Sequence, residues 1–465
     1  MNRCDHERAV GKNCYRIHNH ALNFDRENMK KSIRCNAIAT LMFATAISIP
    51  ASSQKISRLE REDALVMLET MASDLRTFYY DPNFHGVDLQ AKVDEAKEKI
   101  RDAPSARVAY AEIESVLESL NDSHTFFVPP REVNQPDYGW KFRIVGNRCF
   151  VVDVDRGSDA EKKGLRRGDE VLAINGFQPT RESMWKMKYA LETLLPQREL
   201  QVDVLNPDGT KRRLEIVTSI KQSKQVIDMG DMTGGDQWWQ RIQNEKIWDS
   251  NRPRFAEFNQ NLMIVRIPIF FLTDFQIDGL IDKARDHKHL IIDLRGNPGG
   301  SEASLLSLVG GIFDKDVKIA DRVTRDTTTP IVVKRHPKHV FSGKLLVLVD
   351  SDTASAAEVF ARIVQLENRG VVWGDVTAGH TMEGQFHPHK VGQNPVFLYA
   401  ASITRANLVM PDGKSLERVG VAPDERIFPL GDDLATGRDP ALASAAATFG
   451  VKLTPEAAGK LFPSN

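Results

Sequence analysis

Ser355 is the residue whose type and setting most directly suggest chemistry in this sequence. It follows the apolar run LLVLVD and stands among small residues in 352–358, where a helical pattern begins. The free N–H groups and the dipole of a helix N-terminus favour developing negative charge. Serine and aspartate at a helix start are more often caps, however. The stretch therefore indicates either a nucleophilic serine on a strand-to-helix turn or an ordinary helix cap.

A glycine-rich turn forms the second candidate motif, DLRGNPGG at 293–300, directly after an apolar strand pattern. Glycines at such a place let backbone N–H groups face a cavity, as an oxyanion or a phosphate requires. No Gly-Lys-Ser/Thr follows, and the three spaced glycines of a dinucleotide site are absent, so neither phosphate-binding fingerprint matches. A plain Gly-Pro turn is the alternative interpretation.

Three histidines in the C-terminal half are candidate metal ligands: His380, His387 and His389. A His-x-His pair suits ligands carried by one strand. No cysteine or carboxylate completes a convincing set, so we expect no metal site. We expect no cofactor either.

The elements that must position these motifs fall into four regions after residue 53. Apolar residues at helical spacing predict three helices in 54–135, and short alternating strands predict a mainly β region in 137–222. Near-continuous apolar strands alternating with helices in 223–430 predict a parallel sheet covered by helices. Residues 431–465 are expected to form a helical tail. Residues 223–258 give no clear pattern.

The β region resembles a PDZ domain in the segment GSDAEKKGLRRGDEVLAINGFQP. In such domains an extended peptide adds to a sheet edge, and its terminal carboxylate meets backbone N–H groups. The resemblance implies that Tyr138–Phe142 is the carboxylate loop. It also implies a polypeptide partner bound by its C-terminal tail.

The motifs DLRGNPGG, SDTASAAEVFA, WGDVTAGH and GVAPDERI together resemble the catalytic domain of the C-terminal processing (tail-specific) serine peptidases. The resemblance extends from Ile56 to the C-terminus. It implies an α/β fold with a crotonase-like/ClpP-like catalytic core, an inserted PDZ domain and an N-terminal helical region. It also implies that Ser355 is the nucleophile and that the oxyanion hole is formed by the backbone N–H groups of Gly299, Gly300 and Ala356.

His380 stands where the lysine base of this family's Ser-Lys dyad is expected. A branch that resembles the tricorn core instead uses a histidine from a Ser-His motif and a glutamate ahead of Gly-Val-x-Pro-Asp. Ser123, His124 and Glu417 occupy those places. The resemblance therefore implies that His124 is the base for Ser355, that Glu417 fixes the imidazole tautomer and that Ser123 assists. His380 remains the alternative base.

The N-terminus predicts secretion. A basic segment begins at Met29, an apolar run follows from Ala37 to Ile49, and small residues lead to Ser53, as in a cleavable signal peptide. Residues 1–28 are expected to be a disordered prefix, with translation starting at Met29. Cleavage would leave Cys149 as the single cysteine. We therefore expect a periplasmic or secreted protein with no stable membrane span.

Composition excludes one further class of function. With a formal net charge of −1 and no long run of like charges, the chain lacks the electrostatics of a nucleic-acid-binding protein. The expected function is a serine endopeptidase that acts on polypeptides. The alternatives are an inactive PDZ-containing homologue that only binds, and a crotonase-type acyl-CoA enzyme. The sequence leaves the oligomeric state open.

Overall fold

The computed structural model describes residues 56–130, 134–222, 252–335, 340–392 and 396–462. The predicted prefix and signal peptide, and most of the uninterpreted segment after residue 222, lie outside these ranges. None of the helices in the described ranges has the length and apolarity needed to cross a membrane.

The helices and strands are numbered in chain order. The helices are α1 Arg58–Phe78, α2 Leu89–Asp102, α3 Ala106–Glu118, α4 Asp159–Lys162, α5 Met184–Tyr189, α6 Asp274–Arg285, α7 Glu302–Ile312, α8 Ala356–Leu366, α9 Gly431–Thr436, α10 Pro440–Thr448 and α11 Pro455–Leu461. The strands are β1 Phe126–Val128, β2 Asn134–Asp137, β3 Trp140–Val145, β4 Arg148–Val154, β5 Glu170–Ile174, β6 Glu199–Leu205, β7 Lys211–Val217, β8 Ser219–Gln222, β9 Arg254–Phe258, β10 Leu262–Arg266, β11 His289–Asp293, β12 Val317–Thr324, β13 Thr328–Val333, β14 Lys344–Val349, β15 Gly370–Gly374, β16 Glu383–Val391, β17 Phe397–Val409 and β18 Glu425–Arg426.

The first three helices form the predicted N-terminal helical region. Helix α1 begins at a capping box in which the Ser57 hydroxyl and the Glu60 carboxylate bond each other's backbone N–H groups. The apolar faces of α1, α2 and α3 share one core with β1, β16 and β17. The helices therefore pack directly on the sheet that contains β1, β16 and β17.

A six-stranded sheet lies at the centre of the C-terminal half, in the order β18-β15-β14-β11-β10-β9. All neighbours pair in parallel except β9, which is antiparallel to β10. One face packs against α6, α7 and α8, and the other against α10 and α11. Burial on both faces explains why β11 and β14 are almost continuously apolar. The predicted parallel sheet and its helical crossovers are confirmed.

A second sheet contains β1, β12, β13, β16 and β17, and the sequence did not predict it. Strand β16 reads EGQFHPHKV and is largely exposed or half-buried, so apolar alternation does not mark it. Strand β1 was assigned to the helical region and its extended linker, yet it pairs with β17. This pairing holds the segment just before β1 beside strand β17, where the Asp122 carboxylate accepts the Thr404 hydroxyl.

The predicted β region is a five-stranded antiparallel sheet in the order β3-β4-β5-β6-β7, with α4 and α5 between its strands. We call residues 140–217 the inserted region. Arg181 fastens it to the parallel-sheet region by donating to the Val376 carbonyl at 2.7 Å and to the buried Asp375 carboxylate at 2.8 Å. The Gly146 N–H also donates to Asp375 at 2.8 Å.

Candidate active site

Ser355 stands at the junction of β14 and α8, at the N-cap position of the helix. Its backbone has φ 54° and ψ −125°, a conformation with positive φ that residues other than glycine rarely adopt. The N–H of Ser355 donates to the His380 carbonyl at 2.8 Å. The hydroxyl does not cap the helix. The backbone therefore has the position of a cap, while the hydroxyl is left free of that role.

Gly299 approaches Ser355 more closely than any side chain would allow. A Cβ added to Gly299 would lie 2.5 Å from the Ser355 Cβ and 3.1 Å from the Ala356 nitrogen. Gly299 and Gly300 also have positive φ values, 95° and 140°. This explains why two glycines are needed in the turn after β11.

The N–H groups of this turn differ from the prediction in one respect. The Gly299 N–H donates to the Asn297 side-chain oxygen at 2.8 Å, so it is already paired. This pairing makes the Gly299 N–H less available as an oxyanion donor than the prediction requires. Ala356 is the first residue of α8, and its N–H has no acceptor within the helix. Gly300 and Ala356 remain the candidate donors.

His124 lies in a loop between α3 and β1 that Asp122 organises. The Asp122 carboxylate accepts the N–H groups of His124 and Thr125 at 2.9 and 2.7 Å. It also accepts the hydroxyls of Thr125 and Thr404 at 2.9 and 2.8 Å. A Cβ added to Gly384 would lie 3.1 Å from the His124 Cβ, so strand β16 closely supports the imidazole. The loop conformation is set by these contacts.

Glu417, Ser123 and His124 form one chain of hydrogen bonds across a separation of almost 300 residues. The Ser123 hydroxyl donates to Glu417 Oε2 at 2.9 Å and lies 2.8 Å from His124 Nδ1. Since that hydroxyl proton is used on the carboxylate, Ser123 Oγ accepts from Nδ1–H. This arrangement leaves His124 Nε2 without a proton. Glu417 thus reaches the imidazole through Ser123.

Backbone N–H groups hold Glu417 in place. Ser123 N–H donates to Oε1 at 2.9 Å, and Thr381 N–H donates to Oε2 at 3.0 Å. Burial raises the pKa of Glu417, whereas the Arg418 guanidinium and the bonds from Thr381 and Ser123 lower it. Every one of these contacts favours the ionised carboxylate.

The two candidate bases have different environments. Burial lowers the pKa of His124, the Asp122 carboxylate opposes the shift, and Arg418 adds to it. For His380, burial, Arg418 and His124 all act in the same direction and lower the pKa to about 3. His380 is therefore a much weaker base than an ordinary histidine. Among the described residues, neither imidazole forms a hydrogen bond with the Ser355 hydroxyl.

The inserted region contributes side chains beside these histidines. The Trp185 ring of α5 lies 6.1 Å from the His380 ring, edge to face, and the Arg418 guanidinium lies 4.9 Å over the same indole. Lys188, also on α5, donates to Asp352 at 3.2 Å in the loop that leads to Ser355. The region thus contacts both sides of the candidate site.

Three other residues named in the sequence motifs have structural roles. Arg295 is paired with the carboxylates of Asp293 and Asp439. Asn297 donates to the Ile267 carbonyl at 2.8 Å, and its carbonyl accepts Ala354 N–H at 2.8 Å. The Thr377 hydroxyl bonds the buried Glu358 carboxylate at 2.5 Å. All three brace the turns around Ser355.

The histidines considered as metal ligands contact different partners. His389 pairs with Asp74 at 2.6 Å, and His387 stacks on Phe78 with 4.3 Å between ring centroids. Across the described ranges, no three His, Cys, Asp or Glu side chains are grouped so that they could hold a metal ion.

Sequence reasoning missed Glu358, Asp122, Trp185 and Arg418. Glu358 follows Ser355 at the Ser-x-x-Glu spacing of a capping box, a signal that could have identified it. Asp122 precedes the Ser-His pair as a turn-forming residue. Trp185 reaches the site only through the docking of the inserted region. Arg418 is the neighbour of Glu417 in the chain, but no local pattern marks it.

Comparisons with known proteins agree with this geometry. Residues 261–427 match the model of peptidase family S41. The chain is similar to carboxyl-terminal-processing peptidase 3 (chloroplastic) of Arabidopsis thaliana, with 21% identity over 84% of this chain and 73% of that one. It is 24% identical to the tail-specific protease of Haemophilus influenzae over 68% of this chain but only 45% of that protein. The crystal structure of mature CPAF superposes with a TM-score of 0.60 at 16% identity, covering 81% and 94% of the two chains.

Proposed function

We propose, because residues 261–427 match the model of peptidase family S41, that this protein is a serine endopeptidase that cleaves polypeptides with Ser355 as its nucleophile. His124 is the general base in this proposal, and Ser123 and Glu417 orient it. The observation that carries the assignment is the hydrogen-bond chain from Glu417 through Ser123 to His124. A base oriented by a further group is the arrangement that activates a serine.

The reaction begins when the Ser355 hydroxyl attacks the scissile carbonyl carbon. His124 Nε2 takes the hydroxyl proton, and the resulting imidazolium keeps its Nδ1–H on Ser123 Oγ. The Glu417 carboxylate stabilises that positive charge through the Ser123 hydroxyl. The imidazolium then gives its proton to the leaving amine, and an acyl-enzyme remains on Ser355. Water, deprotonated by the same imidazole, hydrolyses the ester and restores the serine.

The negative oxygen of the tetrahedral intermediate requires hydrogen-bond donors in fixed positions. The N–H groups of Gly300 and Ala356 take this role in the proposal. The closeness of Gly299 to Ser355 supports it, because the turn and the nucleophile are in van der Waals contact. The N-terminus of α8 adds a favourable dipole.

The Ser355 hydroxyl must approach His124 Nε2 for the first step. Catalytic hydrogen bonds are often long in the free enzyme and shorten when substrate binds. His380 is a poor alternative base because its pKa is lowered to about 3. Its carbonyl instead holds the Ser355 N–H.

In this proposal the inserted region is a PDZ domain that recruits the C-terminal tail of a polypeptide. Its strand β3 is at an edge of the sheet. The Tyr138–Phe142 segment leads into this strand, and its residues 140–142 are the first three residues of β3. An extended tail would pair with this edge. The Ser351 hydroxyl, in the loop that leads to Ser355, donates to the Ile144 carbonyl on β3. This contact supports the proposal that a chain bound at β3 is delivered toward Ser355. The names of the relatives, which refer to C-terminal processing and tail specificity, agree with this role.

A periplasmic or secreted location completes the proposal, on the basis of the signal-like segment from Met29 to Ser53. The match to a peptidase family supports a peptidase over the acyl-CoA enzyme. Nothing found favours the inactive homologue.

The test is digestion of an unfolded, disulfide-free polypeptide by the protein beginning at Gln54. Cleavage is expected for the parent and for Ser307→Ala, a control serine on α7, and is expected to be lost in Ser355→Ala. An uncleaved substrate with the parent protein, or equal cleavage by Ser355→Ala, would overturn the proposal.

A further inference from the structure

Glu358 is a fully buried carboxylate in the first turn of α8, with no exposed surface. Four donors surround it. Oε2 accepts the N–H groups of Ser355 and His380 at 3.0 and 2.8 Å. Oε1 accepts the Gly379 N–H at 2.7 Å and the Thr377 hydroxyl at 2.5 Å. Each carboxylate oxygen therefore receives two hydrogen bonds.

The four partners determine which form of Glu358 fits the site. An ionised carboxylate only accepts, whereas a protonated one carries an O–H that needs an acceptor. All four partners act as donors toward Glu358, and no Lys, Arg or His of the described ranges forms an ion pair with it. Burial raises the pKa of Glu358 to about 7, and the hydrogen bonds from Thr377, His380, Gly379 and Ser355 oppose the rise. The group therefore changes charge near neutral pH.

Glu358 connects the two halves of the candidate site. On one side it fixes Ser355, whose positive φ is unfavourable for an L-residue and needs support from its surroundings. On the other side it fixes the turn at 377–380. The next residue, Thr381, donates its N–H to Glu417 at 3.0 Å. Glu358 thus fixes the position of Ser355 relative to Glu417, the carboxylate that orients His124.

We infer that Glu358 is a positioning residue, which in its ionised form holds the Ser355 backbone in the conformation that presents the hydroxyl for reaction. The inference rests on the proposed role of Ser355. Protonation of Glu358 places an O–H against one of its donors, so that a hydrogen bond is lost and the nucleophile turn shifts. Reactivity of Ser355 therefore falls on acidification.

Other ionisable groups surround this position and must be separated from Glu358 in any pH experiment. They are His380 on the adjoining turn, Glu417 and Arg418 on the next segment, and His124 across the site. His124 must be neutral to act as a base, and its pKa is lowered by burial. Its titration therefore lies on the acid side of that of Glu358.

The experiment measures the rate at which a fluorophosphonate labels Ser355 between about pH 5 and 9. The variants are Glu358→Gln and, as a matched control, Glu302→Gln in the first turn of α7. The parent and the control should lose reactivity below about pH 7. Glu358→Gln should react about 100-fold more slowly at high pH, because a displaced nucleophile loses its near-attack geometry. Its acid limb should move to lower pH, since Glu358 no longer contributes to it.

A folded Glu358→Gln variant that reacts at the parent rate with the parent pH profile would overturn the inference. Circular dichroism establishes folding. Should the variant fail to fold, Thr377→Val takes its place, because it removes the hydroxyl that donates to Glu358 Oε1 and that lowers the pKa of Glu358. Its labelling should be slower than the parent's and its acid limb should lie at higher pH, and a parent rate with a parent profile would overturn the inference. A parent protein that is not labelled at any pH refutes the proposed function itself, which is a distinguishable result.

Discussion

Ser123→Ala isolates the step by which Glu417 acts on His124. The substitution removes the hydroxyl that accepts from Nδ1–H and donates to Glu417 Oε2. Glu417 itself keeps the backbone N–H groups of Ser123 and Thr381 and stays in place. The variant therefore leaves the carboxylate where it is and interrupts only its connection to the imidazole.

The size of the effect follows from the charge state of His124 during the reaction. The lost hydrogen bond is made to an imidazolium in the transition state, and a hydrogen bond to a charged group contributes about 1.5 to 3 kcal/mol. At about 1.4 kcal/mol per factor of ten, kcat/KM should fall roughly 10- to 150-fold. The KM should change little, because Ser123 is not expected to touch the substrate.

The assay compares kcat/KM on an unfolded polypeptide for the parent, Ser123→Ala, Glu417→Gln and the double variant. Ser119→Ala is the control, because that hydroxyl bonds the Val116 carbonyl within the preceding helical segment. If Glu417 acts through Ser123, the double variant should be no worse than the poorer single variant. Effects that multiply, or a Ser123→Ala variant within twofold of the parent, would refute the relay.

Three further outcomes are expected. Gly299→Ala should abolish activity because its Cβ would lie 2.5 Å from the Cβ of the nucleophile, while Gly209→Ala, with φ 87° and open space around it, should remain active. His124→Ala should lower kcat by about 10² to 10⁴ as expected for a general base, and His380→Ala by far less; the reverse order would exchange their roles. Arg181→Ala should lower the free energy of unfolding in urea by about 1 to 3 kcal/mol, since it leaves a buried carboxylate short of donors; an unchanged midpoint would show that this contact is unimportant.

The strands of the parallel sheet were predictable because burial on both faces makes them continuously apolar. Strands such as β11 and β14 end within a residue or two of the predicted positions. The second sheet was not predictable in the same way. Strand β16 has polar and half-buried residues. Strand β17 pairs with β16 and also with β1 and β12, which lie far away in the sequence. Pairing across such distances depends on the assembled fold.

The candidate site also contains some features that the sequence predicts and others that depend on the fold. Ser355, His124 and Glu417 lie in short motifs, so their identities could be inferred before the fold was known. The paired N–H of Gly299 could not, because it depends on how Asn297 turns back on the loop. The approach of Trp185 to His380 and Arg418 depends on the docking of the inserted region. Local sequence indicates the candidate reacting groups, and tertiary contacts determine their environment.

Mapping the fluorophosphonate adduct by peptide mass spectrometry tests the central claim most directly. The protein from Gln54 onward should carry a single adduct on the peptide that contains Ser355. The His124→Ala variant should acquire that adduct far more slowly, and the His380→Ala variant at a rate near that of the parent. An adduct on another serine, or rapid labelling of Ser355 without His124, would contradict the proposed site.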